Sequence, residues 1–174
     1  MRRTATSDDL YFITLTVVDW VHIFTRQIYK DYLVDNLAFC QKNKGLEIIA
    51  YVIMTNHVHL IARSQKNLSD WLRDFKSFTS KGLYKLIESN ETESRKEWML
   101  EIFRRHGITN DLNKDFQVWQ NGSYPVCLPL NYVSMIEQKT SYIHNNPVRA
   151  GIVPEAHMYT YSSANPLSPL KMNG

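Results

Sequence analysis

Two histidines one residue apart, His57 and His59, lie in the stretch Ala50-Tyr-Val-Ile-Met-Thr-Asn-His-Val-His-Leu60. The runs Ile48–Ile53 and Val58–Ile61 are β-branched or apolar and are split by Thr55-Asn56, which predicts two short strands joined by a tight turn. Side chains alternate faces along a strand, so both imidazoles point one way while Val58 and Leu60 point into the core. Neutral imidazole is the commonest protein ligand for transition ions, and two on one rigid strand make half of a metal site, with positions left open for substrate. The plainer reading is a pair of exposed strand histidines, and three residues of spacing do not choose between the two.

A second crowded stretch is Ser141-Tyr-Ile-His-Asn-Asn-Pro-Val-Arg-Ala-Gly-Ile-Val153. Tyr142 and Asn146 are four apart and share a face if the segment is helical. A tyrosine hydroxyl can attack a phosphodiester and hold the cut strand as a phosphotyrosine, provided a metal polarises the phosphate. Taken alone, Tyr142 is one of ten tyrosines and reads as an amphipathic packing residue.

The elements that must position these groups follow from periodicity. Tyr11–Val18 alternates Thr with apolar residues as a half-buried strand does. From Gln27 to Lys44 the positions Ile28, Tyr32, Leu33, Leu37 and Cys40 recur at helical spacing, and Gly45 sits where a helix ends. After the histidine hairpin, Ser69 is the expected N-cap of a second helix whose apolar stripe is Leu72, Phe75, Phe78, Thr79, Leu83, Leu86 and Ile87. Lys96–Phe103 predicts a further short helix and Phe116–Trp119 a fourth strand. A last helix is expected from Asn131 to Asn146, stopped by Pro147. The βαββαβ order implies an α+β, ferredoxin-like (RRM-like) antiparallel sheet with helices on one face. The other face is then free for a site on an inner strand, partly covered by the tyrosine-bearing helix.

Composition narrows the class without naming a function. The 174 residues suit a single domain, with a core over about 10–153 and a surface-packed tail over 154–174. No apolar run reaches membrane-spanning length and Arg2-Arg3 precedes a polar stretch, so no membrane is expected and the cytoplasm is. Cys40 and Cys127 belong to no Cys-x-x-Cys motif and read as ordinary thiols. A net charge of +3 permits a polyanionic partner without demanding one.

Tyr51-Val-Ile-Met-Thr-Asn-His-Val-His-Leu60 together with Tyr142-Ile-His-Asn-Asn-Pro-Val-Arg-Ala-Gly-Ile-Val153 resembles the single-tyrosine HUH transposases, most closely the REP-associated tyrosine transposases. Phe12–Arg26, Leu68–Lys81 and Phe116–Gln120 fit the same family, so the resemblance spans nearly the whole chain. One departure is Thr55, where many relatives carry proline; it touches the turn and not a ligand.

The resemblance implies a domain that cuts and rejoins single-stranded or hairpin DNA with a divalent ion, Mg2+ or Mn2+. In that reading Tyr142 is the catalytic nucleophile, and His57 and His59 are metal ligands. A third ligand is expected within one turn of Tyr142. Among His144, Asn145 and Asn146, Asn146 lies about 40° from Tyr142 around a helix, Asn145 about 60° and His144 roughly 160°, so the angle favours Asn146, where relatives place Gln or Asn. Its amide oxygen suits a hard ion, with helix capping as the plain alternative. Arg73, Lys76, Lys81, Arg104, Arg105 and Arg149 are candidate DNA contacts, while Trp71, Trp119 and Tyr124 are expected in the core rather than on bases. A monomer is expected over a homodimer. The alternative function is a non-catalytic nucleic-acid-binding or regulatory module derived from such an enzyme, against which the presence of both histidines and Tyr142 argues.

Overall fold

The structure is a computed structural model describing residues 9–110 and 115–173. Its elements are β1 (Leu10–Thr16), α1 (Gln27–Asn43), β2 (Leu46–Ile53), β3 (His57–Ser64), α2 (Leu68–Ser89), α3 (Lys96–Ile108), β4 (Val126–Leu128) and α4 (Val133–Arg149), with short 3-10 turns at Val18–Trp20, Ile23–Thr25 and Ala156–Met158. The sheet order is β2-β3-β1-β4, antiparallel throughout, which is the expected α+β, ferredoxin-like arrangement with β3 inside.

The alternation in β1 and β3 divides the molecule into two layers. Ile13, Leu15, Val58 and Leu60 are buried on the face that carries the main core with Leu33, Leu37, Phe75, Leu83 and Phe103 from the helices. Thr14 lies opposite His59 and Thr16 opposite His57, so these four share the other face. There α4 packs across β2 and β3.

Several elements differ from the expectation for identifiable reasons. The fourth strand is Val126–Leu128, paired with Leu10–Phe12, whereas Phe116–Trp119 adds a single bridge, Trp119 to Val17. Both segments use the β1 edge that faces away from β3, and the chain leaves β1 as a 3-10 turn at Val18, so no ladder extends past Val17. The cap of α2 is Asn67, not Ser69; its carboxamide oxygen accepts from Ser69 N and Asp70 N. Phe78 is 65% exposed because the buried ridge of α2 runs through Trp71, Leu72, Phe75, Thr79, Leu83 and Ile87. In α1, likewise, Tyr29, Leu33, Val34 and Leu37 face inward and Ile28 outward. Trp71 and Trp119 are buried as expected, but Tyr124 is 82% exposed.

Pro147 does not stop the last helix. It lies buried inside α4, which continues to Arg149; Ala150 N bonds Asn146 O, and Gly151 closes the end at φ +71°. Proline removes one N–H donor, a modest loss in a final turn that its burial offsets. Asn146 therefore keeps helical geometry.

The segment after α4 is no surface tail. Tyr159, Tyr161, Ser162, Ser168 and Leu170 are buried, and Ile53 N bonds Tyr161 O while Ser163 N bonds Tyr51 O. It lines the outer edge of β2 and meets backbone groups that would otherwise face solvent.

Candidate nucleic-acid and metal site

β3 delivers His57 and His59 side by side, with ring centroids 4.7 Å apart. His59 is 6% exposed and its Nδ1 lies 2.9 Å from Thr14 Oγ1, a partner set by the β1–β3 register. His57 Nδ1 lies 2.7 Å from Asn56 Oδ1, while the other end of that carboxamide, Nδ2, donates to Trp20 O at 3.2 Å. A carboxamide oxygen only accepts, so His57 carries its proton on Nδ1 and leaves the Nε2 lone pair available. Fixing the ligand ring by a bond to its second nitrogen is how metal-binding histidines are usually oriented.

Both rings are held neutral. Burial, the neighbouring His57 and Lys139 push His59 down to about 3. Burial also lowers His57, opposed by the nearby Asn146 side chain and reinforced by His22. A neutral imidazole is the ligating form.

α4 brings Tyr142 over this pair. Its ring is 5.4 Å from His59 and 5.9 Å from Phe12, edge-on to each, and 37% of the residue remains exposed. Lys139 Nζ and the Arg149 guanidinium stand 5.8 and 5.4 Å from the centre of the Tyr142 ring. His144 turns away, its Nε2 2.8 Å from Ser163 Oγ in the C-terminal segment. Asn146, one turn beyond Tyr142, faces His57. Tyr142, His57, His59 and Asn146 thus converge. The donor set of two locked neutral imidazoles and one carboxamide fits a divalent ion; among the described residues no group of three or more His, Cys, Asp or Glu does so.

The basic candidates scatter. Arg73 is paired with Asp70 and Asp74, Arg105 with Asp19, and Lys76 donates to Gln120 O at 2.6 Å, half-buried, its charge disfavoured by desolvation. Arg104 stacks on Tyr84, 5.8 Å from the ring centre, and Lys81 is exposed. Arg73, Lys76 and Lys81 do line one cleft of about 700 Å3 between α2 and the 115–125 segment. Only Arg149 lies at the tyrosine. Cys40 and Cys127 are reduced thiols, and no helix among the described residues is long and apolar enough to cross a membrane.

Sequence reasoning missed Thr14, Asn56, Phe12 and Lys139 around the site. Two of them left a signal: Lys139 precedes Tyr142 by three, hence shares its helix face, and Thr14 shares the period-two phase of Phe12 and Thr16.

Comparison with known proteins bears on the fold and the family. A REP-associated tyrosine transposase bound to a REP hairpin superposes with a TM-score of 0.61 at 16% identity, covering 94% of this chain and 81% of that one. A putative transposase from Deinococcus radiodurans gives a TM-score of 0.44 at 13% identity, over 83% of this chain and 96% of that one. Comparison with curated protein sequences gives no match. The family model described as "Transposase IS200 like" matches residues 9–106, which take in both histidines and more than half of the chain. On that match, the protein belongs to the IS200-like transposase family.

Proposed function

We propose that this protein cuts and rejoins single-stranded DNA next to folded hairpins, using Tyr142 as nucleophile and His57, His59 and Asn146 to hold a divalent ion, Mg2+ or Mn2+. The observation that carries the reading is the approach of Tyr142 to within 5.4 Å of His59, ring to ring, over a pair of histidines whose Nδ1 atoms are already engaged. The family match ends before Tyr142, so the role of the tyrosine rests on this convergence.

Held by His57, His59 and Asn146, a divalent ion would supply Lewis-acid polarisation of the scissile phosphate. Tyr142 Oη attacks phosphorus, the bond from phosphorus to the 3′ oxygen breaks, and the 5′ end is left as a phosphotyrosine. The phenol proton passes to solvent and the departing 3′ oxygen takes one up, so no water is consumed and attack by that hydroxyl reverses the step. Lys139 and Arg149 beside the ring offset the charge of the incoming phosphate. Arg73, Lys76 and Lys81 supply phosphate contacts in their cleft, with positioning rather than sequence choice as their task. Tyr142 serves the histidines of its own chain, since α4 packs on its own β2 and β3, and the monomer is the working unit.

The test is a denaturing gel after incubation with hairpin-bearing single-stranded DNA and manganese. A covalent adduct is expected with the wild-type chain and none with Tyr142→Phe, whose DNA binding and melting temperature stay close to wild type because one exposed hydroxyl is lost. Undiminished adduct in Tyr142→Phe, or none with wild type, overturns the proposal. The second outcome leaves the non-catalytic binding module.

A further inference from the structure

Between the Val18–Trp20 turn, the end of α3 and the 117–121 segment lies a cavity of about 640 Å3 that the chemistry above does not use. Its lining includes Trp20, His106, Asn110, Gln117, Gln120 and Asn121. One wall is an aromatic face and the rest is rich in carboxamides.

The wall is unusual in how it is held. Trp20 is 63% exposed, and both Asp19 and Trp20 adopt φ +50°, a region that non-glycine residues avoid. Three groups pin this turn: Arg105 and His106 bond the two Asp19 carboxylate oxygens at 2.9 and 2.8 Å, and Asn56 Nδ2 bonds Trp20 O at 3.2 Å. A large apolar ring is thus kept in solvent on strained backbone by a dedicated set of bonds.

The floor is rigid. Gln117 is 6% exposed; its Nε2 donates to Trp119 O at 2.8 Å and to Asn121 Oδ1 at 3.2 Å, and its Oε1 accepts from Asn110 Nδ2 at 2.7 Å. Among the described residues nothing bonds Gln120 Oε1 or Asn121 Nδ2, which leaves one acceptor and one donor at the rim. Paired donor and acceptor groups are what a nucleobase edge requires, and a planar aromatic is what its face stacks on. The volume falls within the range of small-ligand sites.

Position ties the cavity to the reaction. Asn56 bonds Trp20 through one end of its carboxamide and His57 through the other. Gln117 and Asn121 also line the basic cleft of Arg73, Lys76 and Lys81, so the two cavities adjoin. Resting on the single-stranded-DNA reading above, we infer that this cavity captures one unpaired nucleobase of the substrate strand, stacked on Trp20 and read by the Gln120 and Asn121 carboxamides, which sets which phosphate reaches Tyr142.

The experiment measures binding of fluorescein-labelled single strands dA12 and dT12, and of an abasic 12-mer with the same number of phosphates, by anisotropy in metal-free buffer. Trp20→Ala is expected to weaken binding of at least one base-bearing strand about tenfold and to leave the abasic strand unchanged, with Trp20→Phe retaining most of the affinity. Loss of equal size on the abasic strand, or no loss on any strand, overturns the inference. Wild-type protein that binds none of these hairpin-free strands, or binding indifferent to Trp20, overturns the base pocket alone, whereas the DNA reading falls only if the hairpin substrate above gives no adduct.

Discussion

The two halves of the proposed catalytic constellation are secured by unlike means. His57 and His59 sit on β3, paired on both sides and buried from Val58 to Ala62. Tyr142 and Asn146 sit on a helix with two buried residues, Ile143 and Pro147, and one side-chain clasp to the C-terminal segment through His144 and Ser163. A strand with two neighbours opens only when the fold opens, whereas a helix that fully buries two of its residues can open while the sheet stays paired. The contrast suits the proposed chemistry, in which ligands would keep their geometry while a nucleophile carrying a DNA strand would gain from a mount that can shift.

The largest expected effect tests the rigid half. His57→Ala with His59→Ala should lose adduct formation altogether and lose the rise in melting temperature on adding manganese, since an ion that binds only the native state stabilises by mass action. Mixing this variant with Tyr142→Phe should restore nothing if, as proposed, each chain serves itself. Recovery of adduct in the mixture would show the helix crossing to a partner. Next, Asn146→Ala should weaken manganese binding at least tenfold by isothermal titration while His144→Ala leaves it unchanged. The reverse ranking would put the third ligand on the wrong side of α4.

Ile143→Ala addresses the movable half. Removing a fully buried isoleucine costs about 2–4 kcal/mol when the surroundings stay packed. Hydrogen exchange should then show α4 opening well before β3, with adduct formation falling more than global stability does. Equal protection in the two elements would erase the contrast.

The smallest effect concerns the support behind the sheet. Burial alone would raise the Glu93 carboxyl, but hydrogen bonds from the Arg95 side chain and backbone and from Arg26 outweigh it and hold the group at about 2 against an ordinary 4.5. A depressed carboxyl contributes stability that is complete above about pH 4.5 and is lost as pH falls toward 2. The difference in urea midpoint between wild type and Glu93→Gln should therefore be full at pH 5.5 and shrink on acidification through that window. A constant difference would mean that packing, not charge, sets the contribution of Glu93.

Much of this was legible in the chain. Period-two runs located β1 and β3 and placed His57 and His59 on one face, because alternation is a property of the strand itself. The i, i+4 spacing of Tyr142 and Asn146 is equally local, and the motif pair pointed to the family before any coordinates. What local rules could not supply were choices made by neighbours. Phe116–Trp119 has the alternation of a strand, yet the edge of β1 runs out before it can pair, and Val126–Leu128 takes the position instead. Pro147 carries a stop signal that holds only where the final turn has no burial to offset the lost bond. Tyr159, Tyr161 and Leu170 lie in a proline-rich stretch with no periodicity, and only the open edge of β2 makes them core. The second partners of the histidines, Thr14 and Asn56, and the poise of Trp20 likewise depend on strand register and on contacts between residues far apart in sequence. Side-chain pattern specifies faces, but the contacts those faces meet are decided by the assembled molecule.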